Sequence, residues 1–385
     1  MVPGEGLALR AFRLRVGAAR AALGVALLML VLLGPEPAGV AAGGAGGRGR
    51  DHRIVNGWLA PWSTPAGLAS VLRNADLWSE ISPFWFQATG PTTLVLRKGA
   101  GDPAVIAALR RRGLTVIPTV TETLGSTDLA RMLNDPAQRA AHVRTLVDLV
   151  TRNGYDGVDL DYETMAWEGD PADRPAAGRG FVRLLADLGP ALHQRGKLLT
   201  VAVGARTSPF ARNWAVHDYA AIAPLVDRLR LMAYDYHSPG SAPGPIAPLW
   251  WAAAVAAYAR TAAPADKIEL GVPLYGYDWP ADPRRRGGWG TAASLTYQAA
   301  EALRARHHAR RHWSSGDAAP WFTYTEGGVR HVVWYNDAAS TKAKLALAGA
   351  EQLRGVALWV VGGEDARQWP AIRAFASPAK RSRGR

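Results

Sequence analysis

Eight short apolar runs recur along residues 54–361, and amphipathic stretches separate them. The runs are IVNGWLAPW (54–62), ISPFWFQAT (81–89), LTVIPTVT (114–121), GVDLDYE (157–163), LLTVAVG (198–204), RLRLMAY (228–234), IELGVPL (268–274) and GVALWVV (355–361). Between them lie helix-period patterns such as PAVIAALRRR (103–112), AAHVRTLVDLVTRN (140–153), GFVRLLADLGPALHQRG (180–196) and ASTKAKLALAGAEQLR (339–354). Near-continuous apolar strands alternating with helices are the mark of βα units, whose parallel strands are covered on both faces. Eight such units predict an α/β fold, a (β/α)8 TIM barrel, over residues 53–377. An open doubly wound sheet is the competing arrangement, and no Gly-rich phosphate turn follows the first strand to favour it. No repeat of solenoid or propeller length is present.

Residues 280–332 break the rhythm. They read as a helix followed by a hairpin turning at Gly327-Gly328, which predicts a small α+β insertion after strand seven. The chain has no cysteine, which excludes disulfides, a thiol nucleophile and cysteine-ligated zinc. Stability must come from one large core.

The N-terminus carries Arg10, Arg13, Arg15 and Arg20, then the apolar run AALGVALLMLVLL (21–33), then small residues ending in VAA at Ala42. That order predicts a signal peptide over 1–42 and a Gly/Arg-rich linker over 43–52. The apolar run falls short of the roughly 20 residues that span a bilayer. Export to the extracellular space or cell wall is therefore expected, with no stable membrane association after cleavage; an uncleaved anchor is the alternative. The net charge is +13. Its arginines are scattered over 110–112, 284–286, 310–311 and a basic tail at 378–385. No recognition helix or aromatic-interleaved basic stripe is present, so no nucleic acid partner is expected. Electrostatic contact with anionic cell-wall polymers is a second expectation.

The stretch YDGVDLDYET (155–164) places Asp156, Asp159, Asp161 and Glu163 on or beside one strand. Side chains alternate along a strand, so Val158, Leu160 and Tyr162 share one face while Asp159, Asp161 and Glu163 share the other. In a barrel the acidic set points into the lumen and rises toward the C-terminal mouth, where barrel active sites are built. Carboxyls stacked roughly 7 Å apart cannot all ionise cheaply. At least one should hold a proton near neutrality, as general acid catalysis requires. Glu163, last and longest, is the natural donor, and Asp156 drops out by parity as a structural residue. An Asp/Glu array could instead bind Mg²⁺ or Ca²⁺, but ligands on one straight strand surround an ion poorly, so no metal is expected.

DGVDLDYE matches the D-G-x-D-x-D-x-E signature, and here the chain resembles glycoside hydrolase family 18, the chitinase-type barrels. LMAYDYH (231–237) resembles the family's M-x-Y-D. LGVPLYGYDW (270–279) resembles G-x-P-x-Y-G-x-x-W, and GVALWV (355–360) resembles the strand-eight segment ending in tryptophan. Three stretches, YDYHSPGSAPGPIAP (234–248), PLYGYDWP (273–280) and VVWYNDAASTKAK (332–344), resemble the bacterial branch of peptidoglycan or spore-cortex-fragment N-acetylglucosaminidases. That branch often carries LysM modules, and none is seen in this sequence. The S-x-G-G of many chitinases is replaced by VIPTVTET (116–123).

The resemblance implies a retaining hydrolase of β-1,4-linked N-acetylglucosamine polysaccharide in which the substrate's own acetamido oxygen is the nucleophile. It assigns Glu163 as general acid and base, Asp161 as acceptor of the acetamido N–H, and Asp159 as sharer of a proton with Asp161. Tyr234 would donate to the acetamido oxygen, Asp235 would contact substrate or Glu163, and Trp359 would floor the sugar site. Tyr275 and Trp279 resemble cleft positions. Trp85 stands either at the mouth or under a helix, and His237 either lines the groove or is structural. No cofactor is implied. A lectin on the same barrel and a metal-dependent hydrolase are the alternatives.

Overall fold

The computed structural model describes residues 52–210 and 214–377. The signal peptide expected over 1–42, all of the linker but its last residue and the tail at 378–385 lie outside the described residues. Eight parallel strands form the centre: β1 Ile54–Leu59, β2 Glu80–Ala88, β3 Thr119–Glu122, β4 Gly157–Asp161, β5 Leu198–Gly204, β6 Arg228–Met232, β7 Ile268–Pro273 and β8 Gly355–Trp359. Each pairs with its neighbours in chain order, and β1 pairs with both β2 and β8, so the barrel closes without a free edge. The fold is the (β/α)8 barrel that the alternating pattern predicts. No helix among the described residues is long and apolar enough to cross a membrane.

The run expected as strand three is broken in its middle. Thr115–Val116 pairs with the start of β2, and pairing resumes only at Thr119, because Pro118 has no N–H to give to a ladder. Asp156 fastens this break, accepting from the Val116 N–H at 2.8 Å.

Outward residues such as Val158, Leu160, Val201, Leu231 and Val356 pack against helix residues Phe181, Leu184 and Leu188 in one buried core. The lower lumen is ionic instead. Arg230 is fully buried and reaches Glu80 at 2.8 Å, Glu269 at 3.0 Å and Asp159 at 2.9 Å. Arg228 approaches Glu80 and Glu269 at 3.5 Å each. Burial raises Glu269 to about 7 against the pull of Arg230. This floor ties β2, β4, β6 and β7 together where many barrels have layers of branched aliphatics.

A second sheet follows β7. Its strands are antiparallel, in the order Ala293–Thr296, Tyr275–Pro280, Val329–Tyr335, Ala319–Glu326 and His312–Ser314. Helix Tyr297–Arg306 covers one face through Ala300 against Phe322, Tyr324 and Val333. Gly327 and Gly328 take φ values of 57° and 78°, the left-handed pair a tight hairpin turn needs. The sheet begins at Tyr275, earlier than residue 280. Leu274 donates its N–H to the Trp359 carbonyl at 2.6 Å, and the chain leaves the barrel immediately afterwards.

Candidate active site

β4 ends at Asp161, and Tyr162 and Glu163 carry the chain out over the mouth. Tyr162 lies in the helix-facing core and is held from two sides. Its hydroxyl donates to His142 Nε2 at 2.5 Å, since His142 Nδ1–H is directed at the Pro91 carbonyl. Its carbonyl accepts from His217 Nε2–H at 3.0 Å, and His217 Nδ1 accepts the Gly204 N–H. Burial lowers both imidazoles to about 4, so both are neutral braces. Glu122, at the end of β3, accepts the Thr164 N–H at 2.7 Å and also the Thr164 hydroxyl. The backbone on either side of Glu163 is thereby fixed.

The acids differ in their surroundings. Asp159 is fully buried. It accepts from Trp58 Nε1 at 3.0 Å, Thr119 Oγ1 at 2.8 Å and Thr200 Oγ1 at 2.6 Å, and it pairs with Arg230. Its recorded contacts are thus three hydrogen bonds and one ion pair. None of these contacts is to Asp161, with which the sharing of a proton is expected. Asp161 and Glu163 act on each other directly, carboxyl on carboxyl. Burial pushes Asp161 well above the usual carboxylate range, and the charges of Glu163 and Asp159 add to it. Burial raises Glu163 to about 7; the bond from Asp161 opposes this, while Asp235 and Glu122 reinforce it. Asp161 Oδ1 is buried with no hydrogen-bond partner.

Tyr234 stands two residues beyond β6. A Cβ at Gly271 would come within 2.9 Å of its ring, so glycine in β7 admits it. Burial, then the neighbouring carboxylates, holds its hydroxyl well above its normal range, which keeps it a donor. Asp235 adopts φ 58°, a left-handed conformation, and its Oδ1 accepts from Tyr275 at 2.5 Å and Tyr277 at 2.9 Å. Trp359 meets Phe84, Trp58 and Trp62 edge-on, with ring centroids 5.2, 6.0 and 6.0 Å away.

Asp161, Glu163, Tyr234, Asp235 and Trp359, with Trp58, Phe84, Ala202 and Met232, line a cavity of about 160 Å³. A second hollow of about 350 Å³ shares Glu163, Met232, Tyr234 and Asp235, and is walled by Trp167, Trp214 and Trp251. Glu163 stands between the two. Among the described residues no group of three His, Asp or Glu side chains is placed to hold a metal ion.

Residues 101–364 match the model of Glycosyl hydrolases family 18. This chain belongs to that family. The "Putative sporulation-specific glycosylase YdhD" of Bacillus subtilis is 35% identical over 269 residues, covering 67% of this chain and 60% of that protein. The Cortical fragment-lytic enzyme of Bacillus subtilis is 30% identical over 293 residues, covering 75% and 66%. The family 18 chain thus spans under two thirds of either relative's length. A chitinase crystal structure from Chromobacterium violaceum superposes with a TM-score of 0.73 at 26% identity, covering 84% of this chain and 98% of that one.

Not every residue expected at the site of the family 18 chain lines it. Tyr275 acts on the cavity through Asp235 and packs edge-on against Tyr234. Trp279 is fully buried under the second sheet beside Tyr277, because four residues of strand carry it about 13 Å past Tyr275. Trp85 is also fully buried, packed against Phe86 and Tyr155 on the outer face of β2. Alternation from the lumenal Glu80 and Ser82 puts Phe84 inward instead, and the register shift follows it, between Phe84 and Phe86. His237 directs Nδ1 at the Ala242 carbonyl and closes its own loop. Trp58, Phe84, Tyr277, Glu122 and Arg230 were not anticipated. Alternation in RLRLMAY would have placed Arg230 inward with Met232, and alternation in YGYDW would have placed Tyr277 with Tyr275. An aromatic such as Trp58 or Phe84 within an apolar run reads the same whichever way it faces.

Proposed function

We propose that this family 18 chain is a retaining glycosidase of β-1,4-linked N-acetylglucosamine glycans, of chitin or peptidoglycan type, working by substrate assistance. One observation carries the reading: the partnerless, buried Oδ1 of Asp161 beside the Glu163 carboxyl, with the Tyr234 hydroxyl in the same cavity. Among the described residues that hydroxyl has no hydrogen-bond partner. An acetamido group would supply an N–H to the first and a carbonyl oxygen to the second. A neutral sugar without that group would leave the buried acceptor unpaired.

Glu163, protonated below about pH 7, gives its proton to the glycosidic oxygen as the bond to the anomeric carbon breaks. The acetamido oxygen, held by Tyr234, attacks that carbon and closes an oxazolinium ring. Asp161 accepts the ring N–H and balances its charge, with the anchored Asp159 below. Glu163, now a carboxylate, takes a proton from water. The hydroxide equivalent opens the ring from the face the leaving group departed, which restores the acetamido group and the β-configuration. Trp359 supplies the apolar floor for the sugar ring. Asp235 raises the proton affinity of Glu163 by its charge. The tryptophan-walled hollow receives the departing part of the glycan.

The order of residues in 1–42 and the cortex-lytic relative support action outside the cell, on wall material. The test is mass spectrometry of products from chitin oligomers and from purified glycan strands, with Glu163→Gln in parallel. The parent cleaves at least one substrate, and the variant loses about 100-fold or more in kcat. Near-parental turnover by the variant would remove Glu163 from its role, and binding without any product would favour a lectin.

A further inference from the structure

One cation behind the cavity wall stands without a counter-charge among the described residues. Arg97 follows the short strand Leu94–Leu96, which runs antiparallel to the end of β2, and its backbone N–H bonds the Trp85 carbonyl at 2.8 Å. Its guanidinium lies 5.1 Å over the Phe84 ring, and Nη2 donates to Thr121 Oγ1 at 3.0 Å. Phe84 lines the cavity, and Thr121 is the register neighbour of Asp161, so the group sits directly beside the acid column. Arg97 is half-buried. Among the described residues no carboxylate pairs with it, and its buried Nε has no hydrogen-bond partner.

Arg230 in the lumen shows the contrast, since three carboxylates neutralise it. A partly buried guanidinium left unpaired gives up hydration and gains no ion pair in return. A neutral glycan would not supply a counter-charge. An anionic glycan would, and it needs such a group. Asp161, Glu163 and Asp235 line the cavity, and each that ionises repels a carboxylate-bearing sugar. Arg97 lies by β2, half a barrel round from the β6 end that carries Asp235, where a fixed positive charge offsets that repulsion.

We infer that Arg97 recognises a carboxylate on the bound glycan. It thereby makes strands of N-acetylhexosamine with lactyl carboxylates on alternate sugars the preferred substrate over the uncharged N-acetylglucosamine polymer. The inference rests on the proposed glycosidase activity and selects within its substrate class. The planar fork of arginine suits a carboxylate better than the point charge of lysine does.

Three substrates decide it: an N-acetylglucosamine oligomer, purified lactyl-bearing glycan strands, and the same strands with their carboxyls converted to methyl amides. Arg97→Gln is expected to lower kcat/KM on the acidic strands about 10-fold or more while leaving the oligomer and the amidated strands near parental rates. Arg97→Lys falls between the two. An equal loss on all three substrates would make Arg97 a structural residue, and no loss on the acidic strands would remove the role altogether. Calorimetric titration of a lactyl-bearing disaccharide into parent and variants reads the same contact without turnover. If the parent cleaves none of the substrates, the glycosidase reading fails. The titration then still decides Arg97: weaker binding by Arg97→Gln supports the contact, and unchanged or absent binding overturns it.

Discussion

Glu163 carries opposed demands. Burial and the charges of Asp235 and Glu122 raise its carboxyl to about 7, so it holds a proton where an ordinary glutamate would not. Activity should therefore fall as pH rises through about 7, as the donor form is lost. Asp235→Asn removes one of the charges that raise it, and the alkaline limb of the kcat profile should move to lower pH. The same shift acts on stability. The folded state binds more protons than the unfolded state between the ordinary glutamate value of 4.5 and about 7, so stability declines as pH climbs through that window and stays reduced above it. Glu163→Gln should consequently raise Tm at pH 8, with a smaller gain near pH 5. A Tm gain independent of pH would contradict this linkage. Tyr234→Phe should lower kcat by about 10-fold or more, since in the proposed mechanism its hydroxyl acts where charge develops.

The strand is the scale at which sequence and structure diverge most instructively. β4 was legible because alternation separates Val158, Leu160 and Tyr162 from Asp159 and Asp161, and inward carboxylates are too costly to be incidental. β3 was legible only in part, because the apolar pattern runs through Pro118 whereas the hydrogen-bond ladder cannot. β6 hid its arginines, which alternate with Leu229 and Leu231 and look like surface charge until the barrel closes around them. Arg230→Met should destabilise the fold by about 3–5 kcal/mol, because Glu80, Asp159 and Glu269 are left buried without their cation. Adding Glu269→Gln should recover part of that loss. Urea midpoints of the single and double variants measure both, and a double variant no more stable than the single would contradict the shared network. On the second sheet, Tyr275→Phe and Tyr277→Phe each remove a donor to Asp235, and each should lower kcat/KM about 10-fold.

Across the whole molecule, the barrel was readable because parallel strands covered on both sides leave continuous apolar runs, and helices of regular period separate them. The second sheet was visible in its Gly327-Gly328 hairpin, where turn chemistry is local. Its departure point at Tyr275 was not, because a strand leaving one sheet for another keeps the same residue pattern. The site follows the same division. Residues of odd chemistry on one strand declared themselves, while the cavity walls from β1 and β2 and the tryptophans of the second hollow depend on closure. The closed barrel sets Glu163 between two hollows with Tyr234 and the open acceptor of Asp161 beside it, and that arrangement is the basis for the proposed retaining, acetamido-assisted cleavage. Proton NMR of the first-formed product from an N-acetylglucosamine glycan tests it most directly, read before mutarotation. The β-anomer is the predicted result; the α-anomer as first product would contradict the mechanism.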